Sequence, residues 1–97
     1  MPLFGSPSDK YPPDLHPVSE YDIKQLVTEE HAHTLNQAQV EQVRSAITSS
    51  RQDGRISLRK IYELLEHMVL RYEISKFDRD AVLSLFQNYF TKHFSGH

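Results

Sequence analysis

Ser49-Ser50-Arg51-Gln52-Asp53-Gly54-Arg55-Ile56-Ser57-Leu58-Arg59-Lys60 is the stretch on which the reading of this chain depends. Asp53-Gly54 is a turn signal, because aspartate tolerates and glycine favours a left-handed backbone. Ser57 is a natural N-cap for a helix beginning at Leu58. Downstream, Ile61, Leu64, Leu65, Met68 and Tyr72 fall at i, i+3, i+4, i+7 and i+11. That spacing predicts a helix over about 58–72 with one continuous apolar face. Upstream, Val40, Val43 and Ile47 recur at helical spacing and predict a helix over about 37–48. Thr34 or Asn36 can cap it, with Leu35 as half of a hydrophobic staple. The segment therefore reads as helix, tight polar turn, helix.

Working outward, no proline occurs from Val18 to Phe94, and Gly54 is the one glycine in that span. A helix is expected over about 20–31, capped by Ser19 with Asp22 three residues on, its apolar stripe formed by Tyr21, Ile23, Leu26 and Val27. Another is expected over about 78–94, with Phe77 as a staple just before it and Ala81, Val82, Leu85, Phe86, Tyr89, Phe90 and Phe94 as its apolar set. Nothing alternates long enough to suggest a sheet. The fold class is all-α: a small four-helix domain over 18–94. All five prolines (Pro2, Pro7, Pro12, Pro13, Pro17) lie in residues 1–17, which rules out a helix or central strand there. This stretch reads as an extended, flexible arm, with Leu3, Phe4, Tyr11 and Leu15 available as docking anchors.

The 49–60 segment resembles the middle of an EF-hand loop of the calmodulin superfamily. Gly54, Ile56 and Ser57 match its glycine, its aliphatic strand position and its helix cap. The flanking apolar periodicity agrees, and the likeness extends over about residues 18–72, where 20–31 takes the place of an earlier hand's exiting helix. The resemblance implies a helix–loop–helix scaffold whose cleft holds a partner helix. It departs from the family at the ligands. Calcium needs oxygen donors at loop positions that here carry Ser49, Arg51, Asp53 and Lys60. One carboxylate cannot hold a divalent cation against two cations ~4–5 Å away, whose repulsion amounts to several kcal/mol at intermediate dielectric. The module is therefore read as degenerate and calcium-independent, with no metal and no cofactor.

Other chemistry is sparse. The chain has no cysteine, so disulfides, thiolate sites and cysteine nucleophiles are excluded. There is no phosphate-cradling glycine loop and no glycine-framed serine, so no enzyme is expected. His31 and His33 form a His-x-His pair beside Glu29 and Glu30, yet i and i+2 point to different helix faces, so a solvated helix end is the preferred reading. Arg51, Arg55, Arg59 and Lys60 set four cations against Asp53 within ten residues, a basic patch for an acidic partner or a phosphate backbone. The formal net charge of −2 argues against wholesale nucleic-acid binding. No apolar run approaches the ~20 residues of a membrane span, and the N-terminus has no secretory pattern, which points to an intracellular, cytoplasmic protein and no membrane.

Aromatics concentrate at the end: Phe77, Phe86, Tyr89, Phe90 and Phe94 are five of ten. They either close the core or meet a partner. The expected function is a non-catalytic adaptor of protein–protein type, with an amphipathic partner helix lying in a groove of Ile61, Leu65, Met68, Phe86, Tyr89 and Phe90. The EF-hand resemblance suggests a subunit of an intracellular, cytoskeletal assembly. The alternatives are a nucleic-acid-binding helical domain using the 51–60 segment, and a self-associating scaffold that buries the last helix in a homodimer.

Overall fold

A computed structural model describes residues 10–94, and over them the chain is mostly helical. In order, the elements are β1 (His16–Pro17), α1 (Glu20–Leu26), α2 (Gln37–Ser49), β2 (Arg55–Ile56), α3 (Leu58–Leu70) and α4 (Lys76–Phe94). The four expected helices are present. The two-residue strands were not expected. They form an antiparallel ribbon with His16 opposite Ile56 and Pro17 opposite Arg55, extended by Val18 N–H donating to the Gly54 carbonyl at 3.0 Å. No alternating pattern announces a ribbon this short, and Pro17 brings no donor to it.

Residues 10–17, assigned by sequence to the arm, lie against the helices. The Tyr11 ring stacks on Tyr62 at 5.0 Å between centroids. His16 stacks on Phe94 at 4.6 Å. Arg59 grips the main chain twice, its amide donating to the Pro12 carbonyl at 3.2 Å and its Nε to the Tyr11 carbonyl at 2.9 Å. The anchors Leu3 and Phe4 lie outside the described residues.

Helix boundaries obey local chemistry. α1 stops at Leu26, five residues before the expected end, with Val27 extended at its C-cap. Thr28 then turns its hydroxyl to the His31 amide, the local competition that keeps threonine out of helix interiors. Arg44 of α2 satisfies the freed α1 carbonyls, with Nε on Val27 O at 2.8 Å and Nη2 on Lys24 O at 3.1 Å. Asn36, not Thr34, caps α2 through a capping box with Gln39, and Ser57 caps α3 by accepting from the Lys60 amide.

α4 begins at Lys76, earlier than expected, because Ser75 and Asp78 form a reciprocal box. Ser75 Oγ accepts from the Asp78 amide at 3.1 Å, and Asp78 Oδ2 accepts from the Ser75 amide at 2.8 Å. The other Asp78 oxygen accepts from the Thr34 hydroxyl, so this buried carboxylate ties the α1–α2 loop to the start of α4. Phe77 is therefore no staple. It is the second residue of α4 and 80% exposed.

The core draws on every helix and on the ribbon: Val18, Ile23, Val43, Ile47, Ile56, Ile61, Leu65, Val82 and Phe86 are among its buried members. Each large aliphatic or aromatic side chain fully removed from water stabilises the fold by roughly 1.5–3 kcal/mol before entropy is counted. Arg79 joins α4 to α3 through Glu66 at 2.6 Å.

Candidate interaction groove

The six residues assigned to a partner groove are placed differently. Ile61, Leu65 and Phe86 are completely buried, and Met68 and Phe90 nearly so; Tyr89 is half-buried. They form core. The face with the strongest periodicity is used by the domain itself, because α3 and α4 pack on one another along it.

The open surface lies on a second stripe of α3. Lys60, Leu64, His67 and Arg71 fall at i, i+4, i+7 and i+11 and are exposed or half-buried. They face Glu41, Gln42, Ser45 and Ala46 of α2 across a groove of about 940 Å³. Ala46, Leu64 and Met68 supply its apolar lining, and Tyr62 joins the wall. Acids (Glu41, Glu63, Glu73) and bases (Lys60, His67, Arg71) mix on the rim. The volume lies at the upper end of the range of ligand sites, ~300–1,000 Å³. One end is tied shut where Gln39 Nε2 donates to the Glu73 carbonyl at 3.0 Å. Ser45 and Ala46 are small, which lets another backbone approach α2 closely. Of the residues named from sequence for the partner groove, Met68 alone lines this one. The stripe Lys60-Leu64-His67-Arg71 was the available signal, overshadowed by the more apolar face beside it.

Tyr62 is held firmly. Burial pushes its phenol above the ordinary value, with the Glu66 carboxylate adding to that, and the Arg79 guanidinium sits 5.8 Å from its ring centroid. Burial works to lower Arg79, but its hydrogen bonds to Glu66 and Asp80 outweigh that and hold it above the ordinary value.

The 49–60 segment folds into a tight hairpin. Gln52 and Arg55 exchange both backbone hydrogen bonds, at 2.8 and 3.0 Å, around Asp53 (φ 55°) and Gly54 (φ 77°). Two successive positive φ values make a type I′ turn, for which Asp-Gly is a preferred pair. A side chain added at Gly54 would meet nothing within 4 Å, so backbone angle and not space is what glycine supplies. The basic patch divides. Arg51 donates to the Thr48 and Val18 carbonyls and Arg59 to Tyr11, leaving Arg55 and Lys60 exposed without those ties.

No protein-family model, curated protein or solved structure matches this chain. What the groove can do rests on its own geometry.

A smaller pocket of about 260 Å³ lies between the α1–α2 loop and α4, lined by Leu26, His31, Leu85, Tyr89 and His93 among others. His31 Nδ1 lies 3.3 Å from the Leu26 carbonyl, and His33 is exposed nearby. Among the described residues, no three His, Asp or Glu side chains converge at metal-binding distance. None of the described helices is long and apolar enough to cross a membrane.

Proposed function

We propose that this protein is a non-catalytic, calcium-independent interaction module that binds an amphipathic helix of another protein in the groove between α2 and α3, as a subunit of a larger intracellular assembly. The observation that carries the reading is the groove itself. It is elongated along α3, its lining of Ala46, Leu64 and Met68 is apolar, and its rim holds both charge signs. Such a site takes a helix by seating apolar anchors at i, i+3 or i+4, and i+7, with polar residues meeting the rim. Met68 suits this work, since a thioether on an unbranched chain adapts to varied anchors. Calcium independence is supported by the turn, where one carboxylate, Asp53, stands among arginines.

The test is affinity capture with the wild-type protein and with Leu64→Asp, each in calcium chloride and in a chelator. A partner retained by the wild type in both conditions and lost by Leu64→Asp is the expected result. Equal retention by Leu64→Asp, or retention that requires calcium, overturns it.

A further inference from the structure

We infer that the turn joining α3 to α4 is a self-association surface, through which Leu70, Tyr72 and Phe77 meet the same three residues of a second copy of this chain. The surface is separate from the lining of the α2–α3 groove and does not depend on what that groove holds.

Two residues in this turn run against local preference. Tyr72 stands at φ 61°, where the end of a helix calls for glycine, and its side chain is 95% exposed. Phe77 stands in the first turn of α4, where water and the helix dipole favour a polar or acidic residue, and it is 80% exposed. Both depart in the same direction, toward a large ring in solvent, and neither ring packs on the core. Backbone strain that brings no internal contact marks a position used for something else. Leu70, the last residue of α3, is 67% exposed as well. These are three of the five large apolar side chains left exposed among the described residues, and all lie within 70–77.

Area and charge select the occupant. A tyrosine or phenylalanine carries about 150–250 Å², so with Leu70 the three side chains present roughly 450 Å². Two copies face to face would bury about 900 Å² from these residues, and about 1,000–1,200 Å² with the stems of Arg71 and Lys76, the size of a weak, reversible interface. Around the turn, Arg71, Lys76 and Arg79 are balanced by Glu66, Glu73 and Asp80. Arg71 holds Glu73 at 3.5 Å, and Arg79 holds Glu66 and Asp80 at 2.6 and 3.0 Å. A rim with no excess of positive charge gives an anionic lipid surface or a phosphate backbone little to attract it. The same mixture of signs suits a patch that must meet itself across a twofold axis, where each acid can face the other copy's base.

The test is sedimentation of the full chain from micromolar to millimolar concentration. The wild-type mass is expected to rise from one copy to two and stop there, because an isologous contact closes on itself. Tyr72→Gly and Phe77→Ser should each weaken association about tenfold or more. Tyr72→Gly is the telling variant: it relieves the left-handed backbone, so a melting temperature held or raised in dilute solution shows that lost association is not lost folding. Leu64→Asp, in the groove, should associate as the wild type does. A wild type that stays single throughout overturns the inference, as does association unchanged in Tyr72→Gly and Phe77→Ser or abolished by Leu64→Asp. Mass that grows past two copies also overturns it, since the turn would then meet a different surface. Phe77-dependent pelleting of a single-copy wild type with phosphatidylcholine–phosphatidylserine vesicles would replace the second copy with a lipid surface.

Discussion

The Tyr89 hydroxyl donates to Asp22 Oδ2 at 2.9 Å, joining α4 to the first turn of α1. The two residues are far apart in sequence, and this polar tie fastens the short first helix to the long last one. Burial, then the hydrogen bond and charge of Asp22, push the Tyr89 phenol up to about 12. In return, the Tyr89 hydrogen bond is the main reason the Asp22 carboxyl lies below its ordinary value.

The pair predicts stability falling away at both ends of the pH scale. Tyr89 is raised in the folded state, so its contribution is complete below the ordinary tyrosine value of about 10 and is lost as pH rises toward about 12. Asp22 is lowered, so its contribution is present above the ordinary aspartate value of about 3.9 and is lost as pH falls through the folded one. Tyr89→Phe is expected to lessen the alkaline loss, leaving the part that the raised Tyr62 phenol contributes, to return Asp22 toward its ordinary value, and to cost about 1 kcal/mol at neutral pH. Urea unfolding as a function of pH measures all three.

Asp78 is expected to be the most sensitive polar position. Asp78→Ala removes the reciprocal cap with Ser75 and leaves the Thr34 hydroxyl without its acceptor, a loss of about 2–3 kcal/mol. Thr34→Val, which removes one donor and keeps the cap, should cost less. Urea midpoints of the two variants give the order, and a larger loss for Thr34→Val would contradict it.

Tyr72 predicts a stabilising substitution. α3 ends in a Schellman motif, with the Glu73 amide on Met68 O at 2.9 Å and the Tyr72 amide on Val69 O at 3.0 Å. That places Tyr72 at the position glycine normally fills, with φ 61° and its side chain 95% exposed. Tyr72→Gly should raise stability by about 1 kcal/mol, since it relieves left-handed strain and gives up little packing. Gly54→Ala should act oppositely, costing about 1 kcal/mol at φ 77°. Thermal melts of both variants test the sign.

Phe86 and Phe77 separate core from surface within one helix. Phe86→Ala should cost about 3–5 kcal/mol, enough to unfold a marginal domain of this size. Phe77→Ser should change stability by no more than about 0.5 kcal/mol. Paired denaturation curves decide it.

Much of the fold is legible in the sequence. Ser19, Asn36 and Ser57 mark helix starts, and Asp53-Gly54 marks the turn. The misplaced boundaries have identifiable causes. α1 ends sooner than its periodicity suggests because the side-chain competition of Thr28 and the reach of Arg44 to the α1 carbonyls depend on the fold as well as on the helix. The start of α4 is legible as Ser75-x-x-Asp78, but the apolar character of Phe77 masks it. The ribbon of His16 and Ile56 cannot be read, since two residues carry no period. The groove lies elsewhere than expected for a more general reason. Periodicity identifies the face that a helix buries, and Ile61 and Leu65 on that face are completely buried in the domain's own core. The open groove runs beside it, along the quieter stripe through Leu64.

The stacking of His16 on Phe94 bears on where this domain can be cut. A chain started at Val18, where the prolines end, would lack Tyr11, His16 and Pro17 together. Ile56 would then present a naked strand edge to solvent, with the Phe94 ring uncovered on the other side of the missing segment. Bare edges and bare rings are what neighbouring molecules adhere to. Such a fragment should precipitate or self-associate although its helices are all intact, whereas one begun at Lys10 should stay dispersed. Residues 16 and 17 are thus what covers the Ile56 strand edge and, through His16, one face of the Phe94 ring.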